Sequence, residues 1–164
     1  MNKAATPQQG FTLLELMISI FIISIGVIAI FSVTAKYTQQ TASTRESLVA
    51  SYLGQEGVEI VKNIRDINWV KGNGWNSGLT SCSSGCEADY ASSSLVSSTS
   101  RYLYIDNATG FYQYTPGSEG GVVTPYKRII TVTNPGSDEV DIQVDVTWNG
   151  YTITVKENLY NWKP

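Results

Sequence analysis

The sequence predicts an α+β protein: one long N-terminal α-helix, apolar in its first half and amphipathic in its second, packed on an antiparallel β-sheet head. Three observations carry this. Between Phe11 and Ala35 the only charge is Glu15. From Lys36 to Asn68 there is no proline, and apolar residues recur at helical spacing. Toward the C-terminus, apolar and polar residues alternate strictly.

The first element follows from length. Leu16 to Ala35 are twenty uncharged residues, enough at ~1.5 Å per residue to cross a ~30 Å hydrocarbon layer as a helix. In the second half, Val49, Leu53, Ile60, Val61, Ile64 and Ile67 keep one stripe, with Arg45, Glu46, Glu56, Lys62 and Arg65 largely elsewhere. Gly54 and Gly57 interrupt that stretch; each costs up to ~1 kcal/mol relative to alanine, and close packing against a sheet is the expected reason. A continuous helix from Phe11 to Ile67 would be roughly 85 Å long.

Gly72 to Ser100 holds ten serines and four glycines in 29 residues, the composition of a surface excursion. Cys82 and Cys86 lie inside it, and the chain has no histidine. Two thiols without histidine do not complete a four-ligand zinc site. The expectation is a disulfide in an oxidising compartment, with two free thiols the alternative. So short a loop gains only about 2 kcal/mol in the chain-entropy model, enough to pin a turn.

From Arg101 the pattern turns to strands. Residues 101–106 and 110–114 flank a turn at Asn107-Ala108-Thr109-Gly110, and Tyr102, Tyr104, Tyr112 and Tyr114 occupy alternate positions expected to face the core. Arg128 to Thr133 is a further run, ended by Asn134-Pro135-Gly136. The clearest strand sets Val140, Ile142, Val144, Val146 and Trp148 against Asp141, Gln143, Asp145 and Thr147. Asn149-Gly150 then predicts a two-residue hairpin turn, and Tyr151, Ile153 and Val155 continue the alternation on the returning strand. Three consecutive antiparallel strands under the amphipathic helix form the expected head.

Function classes narrow quickly. The formal charge of −3 becomes −4 without Met1–Gly10, which carry Lys3 and no acid; this argues against nucleic acid as a partner. Without histidine, Ser-His-Asp and Cys-His sets are excluded, and no glycine-rich phosphate loop is present. Neither an enzyme nor a cofactor is expected. Asp138, Glu139 and Asp141 bunch beside a turn, where calcium is the ion such oxygens suit and a solvated hairpin end is the plainer alternative. Asn107-Ala108-Thr109 meets the N-glycosylation pattern.

The remaining oddity is Glu15, a carboxylate at the start of a membrane-length helix, costing roughly 2–3 kcal/mol at mid-bilayer unless paired or interfacial. Gly10-Phe11-Thr12-Leu13-Leu14-Glu15-Leu16, with the apolar run behind it, resembles the type IV prepilin signal. The resemblance implies a type IV pilin-like fold, and cleavage between Gly10 and Phe11 by a prepilin peptidase. It further implies N-methylation of Phe11, and a Glu15 that sets assembly register by neutralising a neighbour's Phe11 amine. The implied partners are other pilin subunits, prepilin peptidase, an inner-membrane assembly platform and, before assembly, membrane lipid. The implied location is the cytoplasmic (inner) membrane as a single-pass protein, then an extracellular or periplasmic filament. The divisions are a leader at 1–10, a transmembrane or filament-core helix at 11–35 and its amphipathic half at 36–68. A Ser/Gly-rich loop at 69–100, anchored by Trp75, Leu79, Tyr90 and Leu95, and a sheet head at 101–164 follow.

Leu53-Gly54-Gln55-Glu56-Gly57-Val58-Glu59 and Ile64-Arg65-Asp66 resemble minor pilins and pseudopilins of type II secretion systems. Minor pilin is the primary expectation and pseudopilin the alternative. Two readings of another class remain. One is a signal-anchored extracytoplasmic binding domain that never polymerises. The other is a secreted domain cut after Val33-Thr34-Ala35, although the Phe11–Phe31 run exceeds the about 7–15 residues of an ordinary signal core.

Overall fold

A computed structural model describes residues 10–134 and 136–162. The leader residues Met1 to Gln9, with Lys3 and Pro7, and Pro135 of the expected turn lie outside the described residues. The chain divides into two compact units, Met1–Thr44 and Arg45–Pro164. Helix α1 spans Leu13–Lys71, contributing residues to both.

In the first unit the helix is set by its cap. Thr12 precedes it, and the Thr12 Oγ1 accepts the Glu15 backbone N–H at 3.3 Å, satisfying one of the donors a helix start leaves free. The segment is helical without a break through Gly26. Its hydroxyls turn inward on the backbone: Ser19, Ser24, Ser32 and Thr34 donate to carbonyls four residues back at 2.7–2.9 Å. Polar groups satisfied this way can enter an apolar medium.

In the second unit the expected stripe is the buried one. Leu53, Ile60, Val61 and Ile64 are buried, while Val49 packs at the edge of the core. The two glycines have the predicted reason. A Cβ at Gly54 would lie 2.7 Å from Val155 Cγ2, and one at Gly57 would lie 2.8 Å from Val144 Cγ1. The helix therefore meets the sheet backbone-close. It runs past the expected end near Asn68 and stops before Gly72, whose φ of +72° ends helical hydrogen bonding.

The strands are β1 (Cys86–Glu87), β2 (Val96–Ser97), β3 (Tyr104–Asp106), β4 (Tyr112–Gln113), β5 (Gly121–Val123), β6 (Lys127–Thr133), β7 (Glu139–Trp148) and β8 (Tyr151–Tyr160). They form a five-stranded sheet in the order β2-β1-β6-β7-β8 and a three-stranded sheet in the order β4-β3-β5, with antiparallel pairing throughout. The α+β class holds. Strand β7 follows the predicted alternation, with Val140, Ile142, Val144, Val146 and Trp148 all buried. The turn is as expected too: Asn149 and Gly150 have φ of 46° and 84°, the type I′ pattern.

Three expectations need correction. The strands expected at 101–106 and 110–114 form a separate sheet with β5. The three consecutive antiparallel strands expected, β6, β7 and β8, gain β1 and β2 from the Ser/Gly-rich segment, with Cys86 paired to Ile130 of β6. The composition there hid two-residue strands that only a partner could order. Tyr90, expected as an anchor, is 45 % exposed and instead meets Phe111 edge-to-face at 4.9 Å; Trp75 and Leu79 are buried as anchors should be. Finally, Tyr114 is buried but Tyr102 is 48 % exposed, because the inward residue there is Leu103, fully buried and bonded through its backbone to Thr124 and Tyr126.

Candidate functional site

The candidate site is the start of α1. Gly10 and Phe11 are exposed and precede the helix. Thr12 caps, and Glu15 is the acid in the first turn, where the helix dipole favours negative charge by roughly 0.3–1 kcal/mol. Beyond it, the apolar stretch of α1 reaches a mean hydropathy of 2.8 over 18 residues, none of it buried. Phe11, Leu14, Phe21, Ile28 and Phe31 are each at least 66 % exposed. Such a surface demands lipid or protein around it. Gly10, Phe11 and Glu15 thus fall within six residues at one helix end.

The other predicted residues lie in the second unit. Cys82 and Cys86 form a disulfide, with Cα atoms 5.4 Å apart. It seats the excursion on the sheet: the Val132 N–H donates to the Cys82 carbonyl at 3.1 Å. Asp138, Glu139 and Asp141 are not brought together. Asp138 Oδ1 accepts from Asn161 at 3.3 Å, Glu139 Oε1 from Asn158 at 3.0 Å, and Asp141 Oδ1 is buried without a hydrogen bond. Their carboxylates have separate surroundings, and among the described residues no three acidic, cysteine or histidine side chains converge on a metal position.

Two groups that organise the head escaped the sequence reading. Arg128 is fully buried. Its Nη1 donates to the Leu53 carbonyl at 3.0 Å and lies 3.2 Å from Glu56, and its Nη2 donates to the Ala88 carbonyl at 2.6 Å. One guanidinium therefore ties helix, excursion and sheet together. The signal was available: Arg128 is in phase with the inward Ile130 and Val132. The Tyr114 hydroxyl donates to the Arg128 carbonyl at 2.8 Å, and burial pushes that phenol up to about 12. Glu87 is buried as well. Its Oε1 accepts from Ser98 Oγ and from the backbone N–H groups of Thr99 and Arg101, each at 3.0 Å, and Oε2 accepts from Arg101 Nε at 2.7 Å. Burial alone would raise this carboxyl, but the Arg101 and Ser98 hydrogen bonds outweigh it and hold Glu87 below its ordinary range.

Residues 6–31 match the family described as the prokaryotic N-terminal methylation motif. The chain therefore carries the type IV prepilin signal, with Gly10, Phe11 and Glu15 inside it. That signal supports a type IV pilin-like or pseudopilin subunit, implying processing by prepilin peptidase and assembly with other pilins. It fits a membrane-anchored protein that later enters a filament. Neither the curated proteins nor the solved structures include a match to the chain.

Proposed function

We propose that the chain is a minor pilin, a structural subunit of a type IV pilus or related filament, assembled through its N-terminal helix. Cleavage falls between Gly10 and Phe11, and the new amine on Phe11 is methylated. That amine would stand at the positive end of the helix dipole, one residue before the Thr12 cap, where a cation is disfavoured. A carboxylate relieves it. The observation that carries the reading is Glu15, the sole charge in an apolar segment whose side chains are uncovered. When neighbouring helices bundle, an unpaired carboxylate inside costs several kcal/mol, and only the register that sets Glu15 beside a neighbour's Phe11 amine removes that cost. A pseudopilin of a type II secretion system would use the same device, and the apparatus recovered with the protein distinguishes the two.

The test is the intact mass and N-terminal residue of the protein from its native cell envelope. The expected chain begins at N-methyl-Phe11. A chain beginning at Met1 would mean a signal-anchored domain and one beginning at Lys36 a secreted domain; either sinks the filament reading.

A further inference from the structure

We propose that the sheet face at the β7–β8 hairpin end binds a short acidic saccharide, one carrying carboxylates on its rings. A shallow groove of about 330 Å³ lies there, lined by Tyr102, Lys127, Thr147, Asn149, Tyr151 and Thr152 among others. Strand register explains its floor. Lys127 pairs with Thr147, and Thr147 with Thr152, so the three form a row across β6, β7 and β8. Their strand neighbours Arg128, Val146 and Trp148 are buried, which turns the row away from the core.

The walls are aromatic. Tyr102 is 48 % exposed, and Lys127 Nζ lies 4.4 Å from its ring centroid. Tyr151 is 62 % exposed and rests on Trp148, their rings 5.8 Å apart. A sugar ring offers an apolar C–H face for a tyrosine and hydroxyls around its rim for threonine hydroxyls and an amide. The groove supplies both kinds of group, at the small end of the ~300–1,000 Å³ range of ligand sites. Charge sets the subclass. Among the described residues that line it, Lys127 carries the one charge, while Glu46 nearby accepts from the Asn149 amide at 3.3 Å. An ammonium held in place over a ring and lacking a carboxylate partner in the groove favours a carboxylate on the ligand. A peptide fits less well, because the floor is a strand face of side chains, and the β6 and β7 backbone groups beneath it are already paired with each other.

The test uses the full mature chain in a polyoxyethylene-ether detergent, whose headgroup is not a sugar, titrated with trigalacturonate and followed by tryptophan fluorescence. Saturable binding is expected, with maltotriose at least tenfold weaker. Lys127→Gln should raise Kd tenfold or more, and Tyr102→Ala fivefold or more. Thr152→Val, at an exposed position, should weaken binding with the melting temperature unchanged. Lys156→Gln, on the same face of β8 but outside this groove, should leave Kd unaltered. Absence of saturable binding, equal loss in Lys156→Gln, equal affinity for maltotriose, or tighter binding of an acidic tripeptide would each overturn the proposal.

Discussion

The residues of α1 up to Thr44 and those from Arg45 onward share one secondary structure and inhabit different solvents. In the first set, large apolar side chains are uncovered on every side and the hydroxyls are satisfied by the helix itself. In the second, one stripe is buried, and two glycines bring the backbone onto valines of β7 and β8. A helix apolar all round is built for lipid or for other helices, and a striped one for its own sheet. The identical backbone conformation therefore carries two different dependences: the first on neighbours outside the chain, the second on residues distant in sequence.

Substitutions can break that contrast, and the largest effect is expected at Glu15. Glu15→Val should leave cleavage after Gly10 intact yet reduce sheared filaments at least tenfold, read by N-terminal mass and by immunoblot of the sheared fraction. Normal filament yield from this variant would remove the assembly role. In the second unit, Arg128→Ala leaves the Leu53 and Ala88 carbonyls and Glu56 without their donor, and should cost about 2–4 kcal/mol in denaturant melts followed by tryptophan fluorescence. All four tryptophans lie beyond Arg45, so this signal reports on the second unit.

The glycines sharpen the comparison directly. A Cβ on Gly57 would meet Val144 at 2.8 Å, whereas one on Gly26 would meet nothing within 4 Å. Gly57→Ala should therefore destabilise the head by about 1–3 kcal/mol, and Gly26→Ala should leave the melt unchanged. Equal effects would mean that the two halves of the helix are not distinguished by packing. Replacing both Cys82 and Cys86 with serine should cost about 2 kcal/mol, with β1 amides losing hydrogen-exchange protection before those of β7.

The smallest effect is a pH dependence. The folded Glu87 carboxyl sits below its ordinary value of 4.5. Its stabilisation is thus fully present above the unfolded value and is lost as pH falls through the lower folded one. Glu87→Gln should flatten the acid limb of the stability profile below about pH 4.5 while lowering the plateau. An unchanged acid limb would assign that limb to other carboxylates.

Much of this molecule was legible because its strongest signals are local. Membrane length, a carboxylate in an apolar run, period-two alternation in β7 and an Asn-Gly turn all depend on neighbours in sequence, and each matches the structure. Gly54 and Gly57 were legible for a related reason: glycine in a helix is costly enough to imply a compensating contact. Misreadings cluster where partners are remote. Tyr102 alternates with Tyr104, but Leu103 between them is the residue that distant Thr124 and Tyr126 hold inward. Cys86–Glu87 becomes a strand only because β6 offers an edge. Asp138, Glu139 and Asp141 are close in sequence, yet Asn161 and Asn158 from far along the chain bond Asp138 and Glu139 separately.

By itself, then, the sequence determined the helix, its apolar and striped halves, the N-terminal processing signal and the central hairpin, since these follow from residue spacing and transfer energies along a few turns. Only the tertiary structure decided that a buried Arg128 joins helix, excursion and sheet, that Glu87 fastens the excursion, and that Tyr102 and Lys127 share a groove. Those arrangements pair groups from 11 to 75 residues apart, and a polar or charged side chain becomes buried or exposed according to which partner the fold delivers.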